Sequence, residues 1–413
     1  CVSMACGITV IVVCGLGASG VTAGVAPPAT VLWNGTLLAG VKARLANGDP
    51  ALQPALANLA AWAEHWRNES AHGRTFSVMS KPKAGPSGDK HDFFSLGTYW
   101  WPNPNTSTGL PYVRRDGLVN PETFLYDSVP MSQMIYAVSN LSLGFYFTGS
   151  EAYCGAAVNF IDAWFFDEAT RMNPESGLQY SQLLRGLDEG RGIGIIDAKD
   201  LGFVPDSAAL LQGCGAWTAQ KQTALTEWLA VYVRWLSSSS HASDEFAQKN
   251  NHGTWFDLQA ITLSLHVGNT SWSRFMANNA KTRIAAQVAP NGTLPLELAR
   301  TRSMHYTWWD LSAFFELAIA AQRIGVDIFD FEAGPGQSLR HAVDFVAPYT
   351  VFPPVLPWPW QEETPFDHGK FFLIFRVSSL KWANASYEAL IPHLPGTVNY
   401  TTSTINLLWP RAY

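Results

Sequence analysis

Apolar residues recur at helical spacing in one block after another from residue 51 onward. A spacing of three to four residues places apolar side chains on one face of a helix. Patterns of strict alternation, which would indicate strands, are scarce. The sequence therefore predicts an all-α protein. The first helical block contains Leu52, Leu56, Leu59, Trp62 and Trp66, and similar blocks follow at residues 131–138, 225–235, 255–266, 272–288 and 308–324.

Connectors rich in proline and glycine separate these blocks, at residues 81–89, 101–117 and 353–365. None of them divides two regions of different composition, and no exact repeat is readable, which disfavours a regular solenoid. Many antiparallel helices joined by long loops predict a helical array or toroid whose loops gather at one end and form a cleft. We expect a single domain over residues 27–413.

Residues 1–26 predict a secretory signal peptide. An apolar run from Met4 to Gly20 is followed by small residues, as in the apolar and cleavage regions of such signals. A membrane anchor is the alternative, although the run is too short to span a bilayer well. We therefore expect a secreted, extracellular protein with no stable membrane insertion once the signal is removed.

Glycosylation sequons and cysteines also bear on the compartment. Removal of the signal would leave Cys154 and Cys214, which could form one disulfide in an oxidising compartment or remain two buried thiols. Both alternatives are open from the sequence. Eight Asn-x-Ser/Thr sequons fit passage through a eukaryotic secretory pathway, and they lie at Asn34, Asn68, Asn105, Asn140, Asn269, Asn291, Asn384 and Asn399.

The composition is that of a globular chain and argues against a nucleic-acid partner. Hydrophobic residues make up 47% of the 413 positions, aromatic residues 13% and charged residues only 15%. Disordered chains are much poorer in aromatic residues. The net charge is −6, and no basic run is present that could neutralise a phosphate backbone.

An aromatic segment that begins at residue 91 has the chemistry of a carbohydrate site. It contains His91, Tyr99, Trp100 and Trp101, and Arg115 follows. Aromatic rings stack on sugar faces, while histidine and arginine donate hydrogen bonds to hydroxyls and carboxylates. The mixture suits an anionic glycan, and a packed loop with surface charges is the alternative.

The connector from Lys81 to Asp89 leads directly into this aromatic segment. Its glycine and proline content disfavours a helix. We expect a mobile lid in which Lys81 and Lys83 contact the polyanion. An ordinary solvated loop is the alternative.

Closely spaced glycines at Gly190, Gly192 and Gly194 do not form a dinucleotide site, because the GxGxxG spacing and a βαβ unit are both missing. We expect them to let a loop pass close to other backbone. Nearby, Gln182 and Arg191 either line the cleft or brace it.

Asn251 and His252 directly precede a helical block, where an imidazole and a carboxamide can share one cleft. A lone histidine is more often structural than catalytic, so this pair needs a partner. The segment from Glu297 to Tyr306 offers one. Its two arginines could bind a carboxylate and lower the pKa of the Tyr306 phenol. A salt-bridged helix start involving Glu297 is the alternative.

These segments together resemble the alginate-lyase superfamily of polysaccharide lyases. The resemblance covers roughly residues 50 to 330. It implies an (α/α) toroid of antiparallel helix pairs, secretion, and eliminative cleavage of a 1,4-linked polyuronate. It rests on motifs in the family's order: HDFFSLGTYWWPNP, LPYVRRDGLVNPE, GRGIGIID, NNHGTWFD and ELARTRSMHYT.

The resemblance also implies individual roles. Asn251 and His252 match the family's Asn-His pair, Tyr306 matches its catalytic tyrosine, and Arg300 best matches its arginine. Arg302 is close enough in spacing to compete for that role, and on a continuing helix it would point about 200° away from Arg300. We expect Arg300 to neutralise the substrate and Arg302 to brace the turn or pair with an acid. We place His305 among the substrate-binding residues.

In β-elimination the C5 proton beside the uronate carboxylate is removed, and the bond from C4 to the bridging oxygen breaks. Donors on that carboxylate stabilise the developing negative charge, so we expect neither a metal nor a cofactor. Mannuronate and glucuronate carry H5 and O4 on one ring face, so Tyr306 alone can serve as base and then acid, with His252 assisting. Guluronate carries them on opposite faces, so His252 and Tyr306 would need to divide the roles. The apparent eukaryotic origin and departures from the bacterial pattern around Arg300 favour a glucuronan-type substrate over alginate.

Two alternative functions stay open from the sequence. A secreted glycan-binding protein would use the aromatic segment without chemistry. A glycoside hydrolase on a helical toroid would need two carboxylic acids that flank the bond, and its candidates by residue type are Asp92, Asp116, Glu122, Asp188 and Glu189.

Overall fold

The computed structural model describes residues 26–411 and is mostly helical, as the hydrophobic spacing predicts. The predicted signal peptide falls almost entirely on residues 1–25, outside the described residues. Within residues 26–411 the α-helices are α1 (Gly35–Ala46), α2 (Gln53–Ala71), α3 (Ser128–Thr148), α4 (Glu151–Ile161), α5 (Phe203–Leu210), α6 (Ala219–Ser238), α7 (Ser240–Ala247), α8 (Asn251–His266), α9 (Thr270–Gln287), α10 (Pro295–Leu298), α11 (Ser303–Gln322), α12 (Leu339–Thr350), α13 (Phe372–Lys381), α14 (Ala385–Leu390) and α15 (Ile405–Leu408).

Four short strands accompany the helices and belong to the loops around the aromatic segment. They are β1 (Phe94–Leu96), β2 (Trp100–Trp101), β3 (Val113–Arg114) and β4 (Tyr180–Leu183). Strand β1 pairs in parallel with β4, and β2 pairs antiparallel with β3. The first pair ties the aromatic segment to β4, which carries Gln182, and the second ties it to the segment that carries Arg114.

Helices α8 and α11 form the centre of the fold. In α8 13 of 16 residues are buried, and in α11 15 of 20 are buried, as expected for helices enclosed by other helices. Trp255 and Trp309 lie one turn into α8 and two turns into α11, with ring centroids 4.9 Å apart. The first turns of both helices line one cavity, so the two helices run in the same direction and begin at the same end of the molecule.

One buried cluster joins side chains from Val31 to Trp409, so the segment beyond residue 355 packs on the same core as the motifs. Cys154 and Cys214 are joined by a disulfide across 60 residues, which resolves the question that the sequence leaves open. Asn140 is 6% exposed inside α3, so its sequon is not accessible in the folded chain. Within residues 26–411, every helix is too short or too polar to cross a membrane.

Candidate active site

A cavity of about 610 Å³ opens where α8 and α11 begin, between these helix ends and the loops around β2–β4. Five cationic side chains line it, against one carboxylate, Asp197. Outside the lining, Asp116 pairs with Arg114 and Arg300, and Asp200 pairs with Lys199. The excess of positive charge that remains, in a chain with net charge −6, favours an anionic ligand. The two helix N-termini add partial positive charge. The cationic residues are Arg114, Arg191, Lys199, Arg300 and Arg302.

Asn251 sits at the first position of α8 and is held by a buried carboxylate. Its side chain is 1% exposed. The backbone N–H donates to Glu297 Oε1 at 2.8 Å, and the amide nitrogen lies 3.0 and 2.8 Å from the two Glu297 oxygens. Since the two N–H bonds of an amide diverge widely, one carboxylate occupies one of them. The second N–H is left for the cavity that Asn251 lines.

His252 forms a dyad with Glu245 from α7. The ring Nδ1 lies 2.9 Å from Glu245 Oε1, and Glu245 is fully buried. Burial lowers the pKa of His252, but the charge and hydrogen bond of Glu245 outweigh burial and raise it above its ordinary value. With a proton on Nδ1 directed at Glu245, the neutral ring has its lone pair on Nε2. Since His252 lines the cavity, it is a candidate base.

Tyr306 lies in the first turn of α11 and pairs with a second tyrosine. Its hydroxyl donates to the Tyr99 hydroxyl at 2.6 Å. The expectation that neighbouring arginines lower the pKa of this phenol is wrong. Burial and the neighbouring Tyr99 raise the pKa of Tyr306, and Arg300 offsets only part of that rise. Tyr306 therefore keeps its proton at neutral pH, which suits a general acid.

Arg300 is already paired with an acid. Its Nε and Nη2 donate to the two oxygens of Asp116 at 3.0 and 2.7 Å, a bidentate pair. The guanidinium carbon lies 3.6 Å from the centre of the Tyr306 ring. The Arg300 pair lowers the pKa of Asp116 to about 2 despite burial. Arg300 thus braces Tyr306 while its charge is largely neutralised.

Arg302 is placed differently, because the segment between α10 and α11 is a turn and not a continuing helix. Both arginines consequently line the cavity, and the expected opposition of their side chains does not arise. Among residues 26–411, Arg302 makes no salt bridge, and its Nε has no hydrogen-bond partner. The pairing is the reverse of the expectation: Arg300 binds the acid and Arg302 does not.

The other side of the cavity is formed by Gln182 and Arg191, which both line it and brace it. Arg191 donates to the Gln182 carbonyl at 2.9 Å and to its side-chain oxygen at 3.0 Å. Gln182 and Ser95 in turn donate to the buried Asp197. The Arg191 guanidinium lies 5.5 Å from the Trp100 ring centre, and burial lowers the pKa of Arg191 to about 10.

The glycines beside Arg191 act as the sequence predicts. A Cβ at Gly190 would lie 1.9 Å from the Gln179 carbonyl oxygen, and one at Gly194 would lie 2.3 Å from Ser181 Oγ. Any side chain at either position would push the Arg191 loop off the β4 backbone. The glycines therefore set the position of Arg191.

His305, another predicted contact, also lines the cavity. It stacks on Trp309 at 5.9 Å with the rings 17° apart. Burial, with the charges of Arg302 and Lys370, lowers the pKa of His305 to about 3. The ring is neutral at any working pH, so His305 can contribute a surface or a hydrogen bond to a substrate, but no charge.

Five predicted binding residues lie outside this cavity. The prediction for Lys81 is wrong: the side chain is buried, and its ammonium binds Asp127 at 2.7 Å together with the carbonyls of Val78, Lys90 and Asp92. Lys81 therefore links the connector to the start of α3 and cannot reach a polymer. The other four are His91, Trp101, Arg115 and the exposed Lys83.

Three of these four have local partners instead. His91 Nδ1 is hydrogen-bonded to the Arg171 carbonyl at 2.6 Å. Trp101 donates to the Leu118 carbonyl at 2.9 Å, and the Arg115 guanidinium lies 5.7 Å from the Trp101 ring centre. The neighbouring Arg114, and not Arg115, lines the cavity. Contacts of these four residues with a longer polymer stay predictions.

The sequence argument missed several functional candidates. Arg114 and Lys199 line the cavity, and Glu245 supports His252 from seven residues upstream. Glu362 accepts from the Met304 and His305 backbone N–H groups at 2.7 and 3.4 Å and so caps α11. Adjacency to Arg115 could have pointed to Arg114, but Glu362 comes from a segment without a recognised motif.

The carboxylates that line the cavity test the hydrolase alternative, and the possible ligand groups of residues 26–411 test for a metal site. A glycoside hydrolase needs two carboxylic acids in its cleft, and among residues 26–411 Asp197 is the only one that lines this cavity. Within residues 26–411, one group has metal-ligand spacing, formed by Glu151, Cys154 and Cys214. Both sulfurs of that group belong to the disulfide, which leaves a single ligand there.

Comparison with known proteins gives consistent results. The family model described as alginate lyase matches residues 77–355. The crystal structure of an alginate lyase from Bacteroides ovatus is similar with a TM-score of 0.86 and 33% sequence identity, covering 92% of this chain and 99% of that chain. Among curated proteins none matches significantly.

A more distant likeness supports the fold alone. Alginate lyase A1-III from Sphingomonas species A1 is 14% identical, with a TM-score of 0.52 and coverage of 86% of this chain and 97% of that chain. A variant of A1-III complexed with a tetrasaccharide has a TM-score of 0.55 at the same identity. Alginate lyases have an (α/α) toroid fold, so the predicted fold class is confirmed.

Proposed function

The chain belongs to the alginate lyase family and is a polysaccharide lyase, and from this premise we propose that it cleaves a 1,4-linked polyuronate by β-elimination, with His252 as base and Tyr306 as acid. The observation that carries the proposal is the cavity itself. It brings five cations, a carboxylate-supported histidine and a protonated tyrosine to one place, with a single lining carboxylate.

Each step has a residue suited to it. The neutral Nε2 of His252 takes the C5 proton, and the electron pair left behind forms the C4=C5 double bond as the C4–O bond breaks. The leaving oxygen takes the proton of Tyr306, and a proton then returns to the tyrosine from His252 or solvent. Because its pKa is raised, Tyr306 carries this proton at neutral pH before the substrate binds.

The uronate carboxylate needs neutralisation while the C5 proton leaves. We assign this to Arg302 together with the second N–H of Asn251, because Arg302 has no salt bridge within residues 26–411. Arg300, which the family resemblance singles out, is held between Asp116 and the Tyr306 ring. Arg300 contacts Tyr306 directly, whereas its charge acts on the uronate carboxylate of the substrate only from a distance.

The proposal extends to substrate and compartment. We place glucuronan before alginate, on the departures from the bacterial pattern around Arg300. Because H5 and O4 of glucuronate lie on one ring face, His252 and Tyr306 would then both act on that face. We also propose that the protein is secreted, which the Cys154–Cys214 disulfide supports, because disulfides persist in oxidising compartments.

The test is a panel of glucuronan, polymannuronate and polyguluronate, followed by the ultraviolet absorbance of the unsaturated uronate. We expect absorbance to rise with at least one polymer, and fastest with glucuronan. Reducing ends without absorbance would indicate hydrolysis, and binding without either would indicate a glycan-binding protein. Rapid turnover of alginate with none of glucuronan would overturn the substrate assignment only.

A further inference from the structure

Two buried carboxylates lie behind the candidate active site, and neither contacts the cavity. Glu297 on α10 is 1% exposed, and Asp310 on α11 is fully buried. Helices α10 and α11 pack against each other. Asp310 lies four residues after Tyr306, on the same face of α11 one turn deeper in the fold. The pair therefore lies beneath the residues assigned to the chemistry.

The two carboxylates have unequal partners. Glu297 receives three N–H contacts from Asn251, all between 2.8 and 3.0 Å. Asp310 has no salt bridge within the described residues. Burial raises the pKa of Asp310 well above its usual range, and the charge of Glu297 raises it further, while the Thr254 hydroxyl and Arg283 oppose the shift.

Burial also raises the pKa of Glu297, but the N–H groups of Asn251 and the charges of Arg300 and His252 oppose that rise. Neither carboxylate oxygen of the buried Asp310 has a hydrogen-bond partner within residues 26–411. Two buried carboxylates that repel each other are strongly unfavourable when both are ionised, and a proton on Asp310 removes that repulsion. Glu297 is the better site for the negative charge because its oxygens accept hydrogen bonds from Asn251.

We propose that Glu297 and Asp310 form a positioning pair in which Asp310 carries a proton, Glu297 carries the charge, and the pair fixes the Asn251 amide with its second N–H aimed into the cavity. This inference deepens the proposed function and rests on it for the role of Asn251. The protonation of Asp310 can be tested whether or not the protein turns over a substrate.

The matched comparison is Asp310→Asn against Asp257→Asn. Asp257 is equally buried, but it forms a salt bridge with Arg283 at 2.6 Å. Asparagine imitates a protonated aspartate, so Asp310→Asn should leave the melting temperature within a few degrees of the original protein, roughly the spread of a minor substitution. Asp257→Asn should lower it much further, because it leaves Arg283 charged and unpaired. Equal losses in both variants would overturn the assignment of the proton.

Infrared difference spectra of the intact protein at neutral pH provide the direct readout. The spectrum of the original protein minus that of Asp310→Asn should contain the carbonyl stretch of one protonated carboxylic acid, and the corresponding difference for Asp257→Asn should lack it. The subtraction removes the band expected from Glu316, because burial raises the pKa of Glu316 to about 8. A difference spectrum for Asp310→Asn without a carbonyl band would refute the pair even if the protein is an active lyase.

Turnover tests the positioning role. Glu297→Ala should lower kcat at least tenfold, about the effect of losing one hydrogen bond to a charged group. Glu297→Gln should recover part of that loss, because its carbonyl can still accept from Asn251. Equal rates in the original protein and Glu297→Ala would remove the positioning role. Absence of unsaturated product from the original protein would count against the proposed function, while the infrared and melting results would still report on the pair.

Discussion

The cavity has two sides that are built differently. One, the helix floor, consists of Asn251, His252 and Tyr306 at the starts of α8 and α11. The other, the loop wall, consists of Tyr99, Trp100, Arg114, Gln182 and Arg191, on the loops around β2–β4. Each floor residue is fixed by a buried or tightly bonded partner. In the wall, Gln182 and Arg191 are also held, through Asp197, but Arg114 is exposed, and the wall contributes mainly aromatic surface and positive charge.

This difference separates chemistry from binding. Proton transfer requires groups held in one geometry, which packed helices with buried carboxylates provide. Recognition of a polymer requires charge and area, which loops can supply with less rigidity. Substitutions in the floor should therefore lower kcat, and substitutions in the wall should mainly raise KM.

The largest effect should follow from removing the Tyr306 hydroxyl. Tyr306→Phe deletes the proposed acid and its hydrogen bond to Tyr99, so kcat should fall by about 10²- to 10⁴-fold, with the fold intact by circular dichroism. Tyr99→Phe is the control from the wall and should cost far less. Turnover of Tyr306→Phe within a few-fold of the original protein would remove Tyr306 from the acid role.

Next in size is the His252–Glu245 dyad. His252→Ala should lower kcat by about 10²-fold or more. The base must be unprotonated, so activity of the original protein should rise with pH through a His252 pKa above its ordinary value. Glu245→Gln removes the raising charge and should move this acidic limb to lower pH. A pH profile unchanged in Glu245→Gln would show that His252 is not the titrating base.

The same dyad makes a stability prediction with a definite sign. Because the folded pKa of His252 is raised, the dyad stabilises the fold fully below the pKa of unfolded histidine. That stabilisation is lost as the pH rises through the folded pKa. Melting temperatures of the original protein and Glu245→Gln should therefore converge toward alkaline pH. Divergence with rising pH would contradict the assigned shift.

Replacing Arg300 and replacing Arg302 should have different effects on activity and melting temperature. Arg302→Ala should lower kcat/KM roughly tenfold or more at an unchanged melting temperature, because it removes an unpaired charge from the cavity. Arg300→Ala should lower both activity and melting temperature, since it leaves Asp116 with only the exposed Arg114 and frees the Tyr306 ring. Full activity of Arg302→Ala beside an inactive but stable Arg300→Ala would return the neutralising role to Arg300.

The smallest effects belong to the wall and its surroundings. Arg114→Ala should raise KM by roughly tenfold and weaken its dependence on salt, with kcat nearly constant. Lys83→Ala, outside the cavity, should raise KM less than Arg114→Ala and leave kcat unchanged. A larger rise in KM for Lys83→Ala than for Arg114→Ala would restore the lid that the sequence predicts and place the binding surface on residues 81–89.

The sequence predicts most residues of both sides. Tyr99, Trp100, Gln182 and Arg191 of the wall line the cavity as expected, and Arg114 is the wall residue that the sequence argument misses. Helical spacing identified the helices, and the motifs placed Asn251, His252 and Tyr306 correctly beside helix starts. The Arg300–Asp116 pair was not foreseeable, because it joins residues 184 positions apart. The rise in the pKa of Tyr306 is also not predictable from the sequence, because the burial that causes it depends on the whole fold.

Lys81 shows the limit of reading a loop by composition. A lysine among glycine and proline residues indicates a solvated surface, yet three backbone carbonyls and Asp127 surround this ammonium. Those acceptors come from residues 78–92 and from the start of α3, and their convergence is a property of the tertiary structure. Glu362 was missed for the same reason, since it reaches α11 from 58 residues further along the chain.

The most direct test of the division between floor and wall is the single-turnover rate with enzyme in saturating excess, because this rate reports chemistry without the contribution of binding. It is measured as the appearance of unsaturated uronate absorbance on one polyuronate. We predict that Arg114→Ala keeps this rate within about twofold, whereas His252→Ala slows it by about 10²-fold or more. Equal slowing in both variants would contradict the account, because the loop wall would then take part in the chemical step.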